Sequence, residues 1–226
     1  EEILRAAKSA FGAGYSAVKL YFMLGLPTET DDDLAGICDI CEKIRLLYSS
    51  QKRQKALRIS VSVATFVPKP FTPFQWEKQA DEDEVKHKQD YLIKHLPRGV
   101  KLGWSAYYPS FLEAVLARGD RRLGRVIAAA YKNGCTFDGW DNDFNEDGWK
   151  KAFDECGICG GQYVRERGTD EILPWDFIDM MIDKKFLLSE RKRAYAGEVT
   201  GSCQGGCKGC GMQKDCPAAR GIYDSV

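Results

Sequence analysis

The chain has 226 residues with 33 basic and 33 acidic side chains, so its formal net charge is zero. That length can bury a sizeable core in one large or two small domains, and the neutral balance does not indicate a polyanion as the main partner. The sequence contains neither an apolar run long enough to cross a membrane nor a secretory signal pattern. Because its nine cysteines are an odd number without an export signal, we expect a cytoplasmic protein that uses cysteine for metal binding rather than for disulfides.

The first predicted element is an amphipathic helix over residues 1–14, which should end at Gly12 or Gly14. The sequence starts abruptly inside this helical pattern. We therefore expect the chain to be a fragment of a longer protein.

The chain is organised around a strand predicted at residues 17–24, a turn at residues 25–27 and a helix over residues 30–48. Thr28 is the predicted N-cap of this helix, and acidic residues in its first turn complement the helix dipole. In such a βα unit, ligands bind at the loop that follows the strand. Side chains alternate along the strand, with Lys19, Tyr21 and Met23 on one face and Val18, Leu20, Phe22 and Leu24 on the other.

Two pairs of cysteines have C-x2-C spacing. Cys38 and Cys41 suit half of a metal site, but in the middle of a helix we favour packing as small apolar side chains. Cys156 and Cys159 lie beside glycines, which is a better context for a metal turn. We assign a metal to neither pair.

A second strand is predicted at residues 57–66, with the small side chains Ser60, Ser62 and Ala64 on one face. Small residues leave room for a ligand, and the alternative is close packing against a neighbouring strand. Residues 67–76 contain three prolines and are predicted to form an ordered loop. The remaining elements of this half are a charged helix at residues 81–96 and a short strand at residues 100–104.

Beyond residue 108 the sequence changes to helices joined by Gly-, Asn- and Asp-rich turns. We therefore divide the chain into βα units at residues 1–108, a helical extension at residues 109–196 and a cysteine-rich tail at residues 197–226. The predicted helices of the extension cover residues 110–118, 120–133, 146–156 and 174–188.

The tail concentrates four cysteines and several glycines in a short stretch, a composition that side-chain packing does not explain. Glycine lets the backbone wrap closely around a metal. The Pro after the last Cys is typical of ferredoxin-type ligation, whereas zinc would accept the same thiolates. We favour an iron–sulfur cluster over zinc, and a disordered tail with unbound thiols is the remaining alternative. The predicted ligands are Cys203, Cys207, Cys210 and Cys216.

Three motifs resemble, in the same order, those of the radical S-adenosylmethionine (SAM) superfamily. They are the Tyr-Phe-Met-Leu-Gly-Leu-Pro-Thr-Glu-Thr run that starts at Tyr21, the proline-rich run at residues 66–76 and the Ser-Phe-Leu-Glu-Ala-Val run that starts at Ser110. Nearly the whole chain is similar to the C-terminal part of an uncharacterised branch, which often carries a cobalamin-binding-type domain upstream. The chain departs from the family pattern at Phe71, where relatives tend to carry His or Gly.

The resemblance implies an α/β fold with the later parallel strands of a partial, TIM-barrel-like (βα) radical SAM barrel, followed by the extension and the tail. It also implies an enzyme that cleaves SAM reductively to a 5′-deoxyadenosyl radical and abstracts hydrogen from an unknown substrate, with RNA among the candidates. No catalytic residue is assigned. The residues expected to line the SAM side of the barrel lumen are Lys19, Tyr21, Met23, Gly25, Pro27, Ser60 and Ser62.

Cys203, Cys207 and Cys210 have the C-x3-C-x2-C spacing of the 4Fe-4S cluster that cleaves SAM, but in this family that triplet precedes the late strands. A fourth cysteine would also close the coordination position that SAM requires. We therefore expect an auxiliary iron–sulfur or zinc site here, the catalytic 4Fe-4S cluster on the upstream remainder of the protein, and no catalysis by this chain alone. The alternative is that this triplet is itself the catalytic one.

A function of a different class also stays open. The chain would then be a non-catalytic zinc or iron–sulfur module that binds RNA or a partner protein, with the barrel remnant as its scaffold.

Overall fold

The computed structural model of the protein describes residues 1–51, 55–140, 142–212 and 216. The chain divides into two compact units, one formed by Glu1–Phe66 with Ala80–Ser110 and the other by Val67–Gln79 with Phe111–Val226. In the described residues, no helix has the length and apolarity needed to cross a membrane.

The first unit alternates helices and strands, as the sequence predicts. Its three strands are parallel and pair in chain order, β1 with β2 and β2 with β3. The expected α/β class is therefore confirmed at the level of a three-stranded parallel sheet. The elements are α1 (Glu2–Gly12), β1 (Ala17–Leu24), α2 (Asp31–Ser49), β2 (Arg58–Thr65), α3 (Glu82–His95) and β3 (Val100–Trp104).

One face of this sheet forms the core of the first unit. Leu24, Val61 and Val63 are buried there against side chains of all three helices, including Phe11 of α1 and Leu92 of α3. The purely apolar face of β1 therefore packs against the covering helices, as the alternation predicts. Cys41 is fully buried in the same core, so it packs there as a small apolar side chain, as the sequence predicts.

The N-cap of helix α2 lies two residues later than predicted. Thr30 is the N-cap, and the Asp33 carboxylate accepts hydrogen bonds from the backbone N and the hydroxyl of Thr30 at 2.8 and 3.0 Å. These bonds hold the pKa of Asp33 below its usual value. Thr28, the predicted cap, instead has a positive φ of 66° within the preceding turn.

The described residues after β3 form helices joined by turns and loops, but one predicted helix is misplaced. A helix was expected at residues 174–188, whereas the structure has turns up to Asp183 and a helix from Lys184 to Tyr195. Met181 has a φ of 58°, which is incompatible with a helix at that point. The elements are α4 (Tyr107–Arg118), α5 (Leu123–Lys132), α6 (Glu146–Cys156), α7 (Gly161–Val164), α8 (Lys184–Tyr195) and a 3₁₀ turn (Cys203–Gly205).

The proline-rich segment Val67–Gln79 is an ordered loop that belongs to the second unit. Its end pairs with a later segment of that unit: the N–H of Arg167 donates to the carbonyl of Trp76 at 2.8 Å, and the N–H of Gln79 donates to that of Val164 at 2.9 Å. Trp76 is fully buried with Trp175 in the apolar cluster of this unit.

Candidate functional site

The second face of the sheet in the first unit is exposed, and we call it the open face. Lys19 pairs in register with Ser60, and Tyr21 pairs in register with Ser62, so the four side chains lie in two adjacent rows. Tyr21 is 71% exposed and Met23 is 46% exposed. The structure thus brings together on one surface five of the seven residues predicted to bind SAM.

Side-chain charge on the open face is entirely positive. The three strands contain Lys19, Arg58 and Lys101 but no acidic residue. Lys101 pairs in register with Ser60, which places it in the same row as Lys19. The ammonium of Lys19 also lies 4.8 Å from the ring centre of Tyr21. A face of this composition favours an anionic or aromatic ligand.

Gly25 and Pro27, the other two predicted residues, lie in the turn after β1. Gly25 has a φ of 81°, and a Cβ atom on it would lie only 2.8 Å from the Cβ of Ala80. Glycine is therefore required here for both backbone conformation and space.

The Glu29 carboxylate closes this turn. It accepts hydrogen bonds from the backbone N–H groups of Gly25, at 3.1 and 3.2 Å, and of Leu26, at 3.4 Å. It also forms an ion pair with Lys88 at 2.7 Å, and its side chain is only 6% exposed. The N–H groups of the turn are therefore already bonded within the protein.

A cavity of about 400 Å³ lies at the carboxyl end of β1. Met23 and Pro27 line it, together with Phe22, Leu34 and Ile37 from the covered side of the sheet and from α2. Its walls are mainly apolar, and ligands bind at this end of parallel strands in α/β proteins. The predicted site is therefore divided between this cavity and the open face.

Two ionisable side chains of the first unit are held in their neutral forms. Burial, with three nearby carboxylates, raises the pKa of Tyr107 to about 12, and its hydroxyl donates to the carbonyl of Ala80 at 3.2 Å. Burial raises the pKa of Cys41 to about 11. Neither residue is suited to act as a base or nucleophile at neutral pH.

The four tail cysteines lie within the described residues of the second unit. Cys203 and Cys207 are exposed, Cys210 and Cys216 are half-buried, and all four are free thiols. Among the residues that the structure describes, no three His, Cys, Asp or Glu side chains are grouped closely enough to hold a metal ion. The donors nevertheless fit a thiophilic metal, because the N–H of Gly209 lies 3.4 Å from the Cys207 sulfur and would stabilise a thiolate.

Sequence reasoning missed the ion pair between Glu29 and Lys88. Glu29 is one acid among four near the start of α2, and Lys88 lies on a highly charged helix. Local sequence does not indicate that these two side chains meet, because Glu29 lies in the turn before α2 and Lys88 lies on α3, and only the tertiary fold brings them together. The sequence did hint at the bonding of the turn, since Glu29 lies four residues after the turn glycine.

Comparisons with known proteins give a single distant relationship to report. No protein-family model matches the chain, and no solved structure matches it. An uncharacterised protein of Methanocaldococcus jannaschii is 30% identical to it over 127 residues, which are 56% of this chain and 26% of the relative. The chain is therefore similar to a limited part of a longer archaeal protein.

Proposed function

We propose that the chain supplies the later βα units of a radical SAM enzyme, with the open face as part of the lumen that holds SAM. The observation that carries this proposal is the arrangement of the first unit: three parallel strands adjacent in chain order, with all three helices packed on one face. Doubly wound sheets carry helices on both faces, whereas a (βα) barrel keeps its helices outside and leaves the other face for the interior.

The open-face side chains have roles that follow from their chemistry. Lys19 supplies a positive charge for a carboxylate or phosphate, Tyr21 offers a ring for stacking, and Ser60 and Ser62 supply hydroxyl groups for hydrogen bonds. Gly25 and Pro27 shape the turn at the carboxyl end of β1, and Met23 adds an adaptable apolar contact beside them.

The radical chemistry in this proposal belongs to the cofactors. A reduced 4Fe-4S cluster with bound SAM supplies the 5′-deoxyadenosyl radical, and the protein positions the ligand and excludes water. The catalytic cluster would be held by residues outside this chain. The tail cysteines would hold an auxiliary cluster or zinc, and the substrate class stays unassigned.

A non-catalytic metal-binding module is the second candidate. The exposed row of Lys19 and Lys101, with Arg58 and Tyr21 beside it, favours a single-stranded RNA partner, because cations track the backbone while aromatic rings stack on bases.

Anaerobic reconstitution with iron and sulfide separates the two functions. If the chain belongs to the enzyme, we expect a brown protein that binds SAM and has thiolate-to-iron absorption at about 400 nm. If the chain is a metal-binding module, we expect tight zinc binding, no SAM binding and salt-dependent RNA binding. Zinc binding without any response to SAM would contradict the proposed enzyme.

A further inference from the structure

The segment from Cys207 to Gly211 has the local geometry of a metal-binding turn. The Gly209 N–H approaches the Cys207 sulfur two residues earlier, at 3.4 Å, and Cys210 follows directly. In a Cys-x-x-Cys turn this hydrogen bond orients the first sulfur toward a shared metal and stabilises its negative charge. Cys207 therefore already accepts the hydrogen bond that the first thiolate of such a turn receives.

This turn is docked on the start of α8. The N–H of Asp183, the residue before α8, donates to the carbonyl of Cys210 at 2.8 Å. Gly211 has a φ of 112°, and a Cβ atom there would lie 2.8 Å from the Asp183 nitrogen and 2.9 Å from the Met181 oxygen. Any side chain larger than hydrogen at this position would push the turn away.

Separate contacts link the segments of the other two cysteines to residues next to or within the turn. The N–H of Cys216 donates to the carbonyl of Met212 at 2.8 Å, which ties Cys216 to the residue that follows Gly211. On the other side, a Cβ atom on Gly201 would lie 3.7 Å from the ammonium of Lys208, so the Lys208 side chain of the turn reaches the segment that leads into Cys203.

We propose that Cys207 and Cys210 form a preformed half-site for a thiophilic metal, that Cys203 and Cys216 complete it, and that the metal fixes the turn of residues 207–211 on the start of α8. Each thiol that coordinates releases its proton to solvent. The inference rests on the metal site of the proposed function and is independent of any SAM chemistry there. Zinc, cobalt or the iron of a cluster would satisfy the same donors.

Metal binding is thereby linked to the stability of the second unit. Helix α8 contributes Leu187 to the buried cluster that contains Trp76 and Trp175. Because the metal would bind the folded tail and not the unfolded chain, it should stabilise the start of α8 and, through α8, this cluster.

The test is a cobalt(II) titration of the full chain in the wild type and in two glycine variants. Binding is monitored by the thiolate-to-cobalt absorption. Gly211→Ala removes the docking contact and is expected to weaken cobalt binding about tenfold or more. Gly205→Ala is the matched control, because Gly205 lies in the same segment and has a φ outside the left-handed region. Apart from its own local backbone, no atom of the described residues lies within 4 Å of the added methyl group. This variant should bind as the wild type does.

A second measurement needs no variant and so does not depend on how Gly211→Ala folds. Hydrogen exchange at the Asp183 amide should slow about tenfold when zinc is added to the wild-type chain. Equal cobalt affinity in Gly211→Ala and wild type, or unchanged exchange at Asp183 with zinc bound, would overturn the docking proposal while leaving SAM binding unaffected. A wild-type chain that binds no cobalt would overturn the docking proposal together with the auxiliary metal site.

Discussion

At the scale of single residues, the most consequential side chain in the first unit is Glu29. It neutralises Lys88 and bonds two backbone N–H groups of the turn after β1. Breaking a largely buried pair leaves the partner charge without compensation, which costs far more than the loss of a surface pair. The shape of the turn at the carboxyl end of β1 therefore depends on this carboxylate.

Glu29→Gln is expected to lower the free energy of unfolding by about 3 kcal/mol, because it leaves Lys88 as an unpaired, mostly buried charge. Urea denaturation would measure the loss. Glu42→Gln, which removes an exposed carboxylate from its pair with Arg45, is the control and should change stability little. Equal effects of the two substitutions would show that the Glu29–Lys88 pair contributes no more than a surface contact.

Gly25→Ala should destabilise the chain by about 2 kcal/mol through its left-handed φ and its contact with Ala80. Gly36→Ala, in the middle of α2 with no atom near the added methyl group, should stabilise it by about 0.8 kcal/mol. Thermal unfolding of both variants checks the opposite signs. A stable Gly25→Ala protein would mean that the turn is free to adopt another conformation.

The environment of Asp120 predicts how the stability of the protein depends on pH. Hydrogen bonds from the Arg122 guanidinium lower the pKa of Asp120 to about 2. Because the folded pKa lies below the unfolded one, the stability that Asp120 contributes is fully present above about pH 4 and is lost as the pH falls toward 2. Asp120→Asn should therefore be less stable than the wild type at neutral pH, and the difference should shrink between about pH 4 and pH 2. A difference that did not vary over this range would contradict the assigned pKa shift.

At the scale of secondary-structure elements, the eight residues of β2 alternate between a buried and an open face of the sheet. Ile59, Val61 and Val63 are buried against the helices, while Ser60 and Ser62 lie on the open face. Parallel sheets are usually covered on both faces. Because β2 has one covered and one open face, the open face is where we expect a ligand or a partner to bind.

Val61→Ala is expected to reduce the free energy of unfolding by about 2 kcal/mol, because it leaves a cavity in the core. The neighbouring Ser62→Ala should change it by less than about 0.5 kcal/mol. Chemical denaturation of the pair measures how differently the two faces contribute to folding. A large loss for Ser62→Ala would indicate that the open face is structural.

Local sequence patterns predicted the strands and helices of the first unit because each has a clear apolar period and a recognisable start or stop. The period of two in β1 and β2 also placed Lys19, Tyr21 and Ser60 on one face. The sequence pattern placed the last helix too early, because Trp175, Ile178 and Ile182 have a helical spacing. The backbone conformation at Met181 is incompatible with a helix there. The pairing of Glu29 with Lys88 was beyond prediction, since it depends on the packing of α3.

At the scale of the whole molecule, the second unit is tied together by charged groups from distant parts of the chain. Glu77 forms an ion pair with Arg191 at 2.5 Å and accepts a hydrogen bond from Tyr195 at 2.8 Å. Arg118 is fully buried and donates to the carbonyls of Glu77 and Arg165, and burial lowers its pKa to about 10. These contacts fix the proline-rich segment within the second unit.

The most direct test of the proposed function is SAM binding, measured by equilibrium dialysis on the reconstituted full-length gene product. We expect SAM to bind, and we expect the double variant Lys19→Ala, Tyr21→Ala to weaken binding about tenfold or more, since it removes a charge and a stacking surface from the open face. A double variant of the exposed helix lysines, Lys43→Ala and Lys86→Ala, should bind as the wild type does. No SAM binding, or equal losses in both double variants, would contradict the assignment of the open face to a SAM-binding lumen.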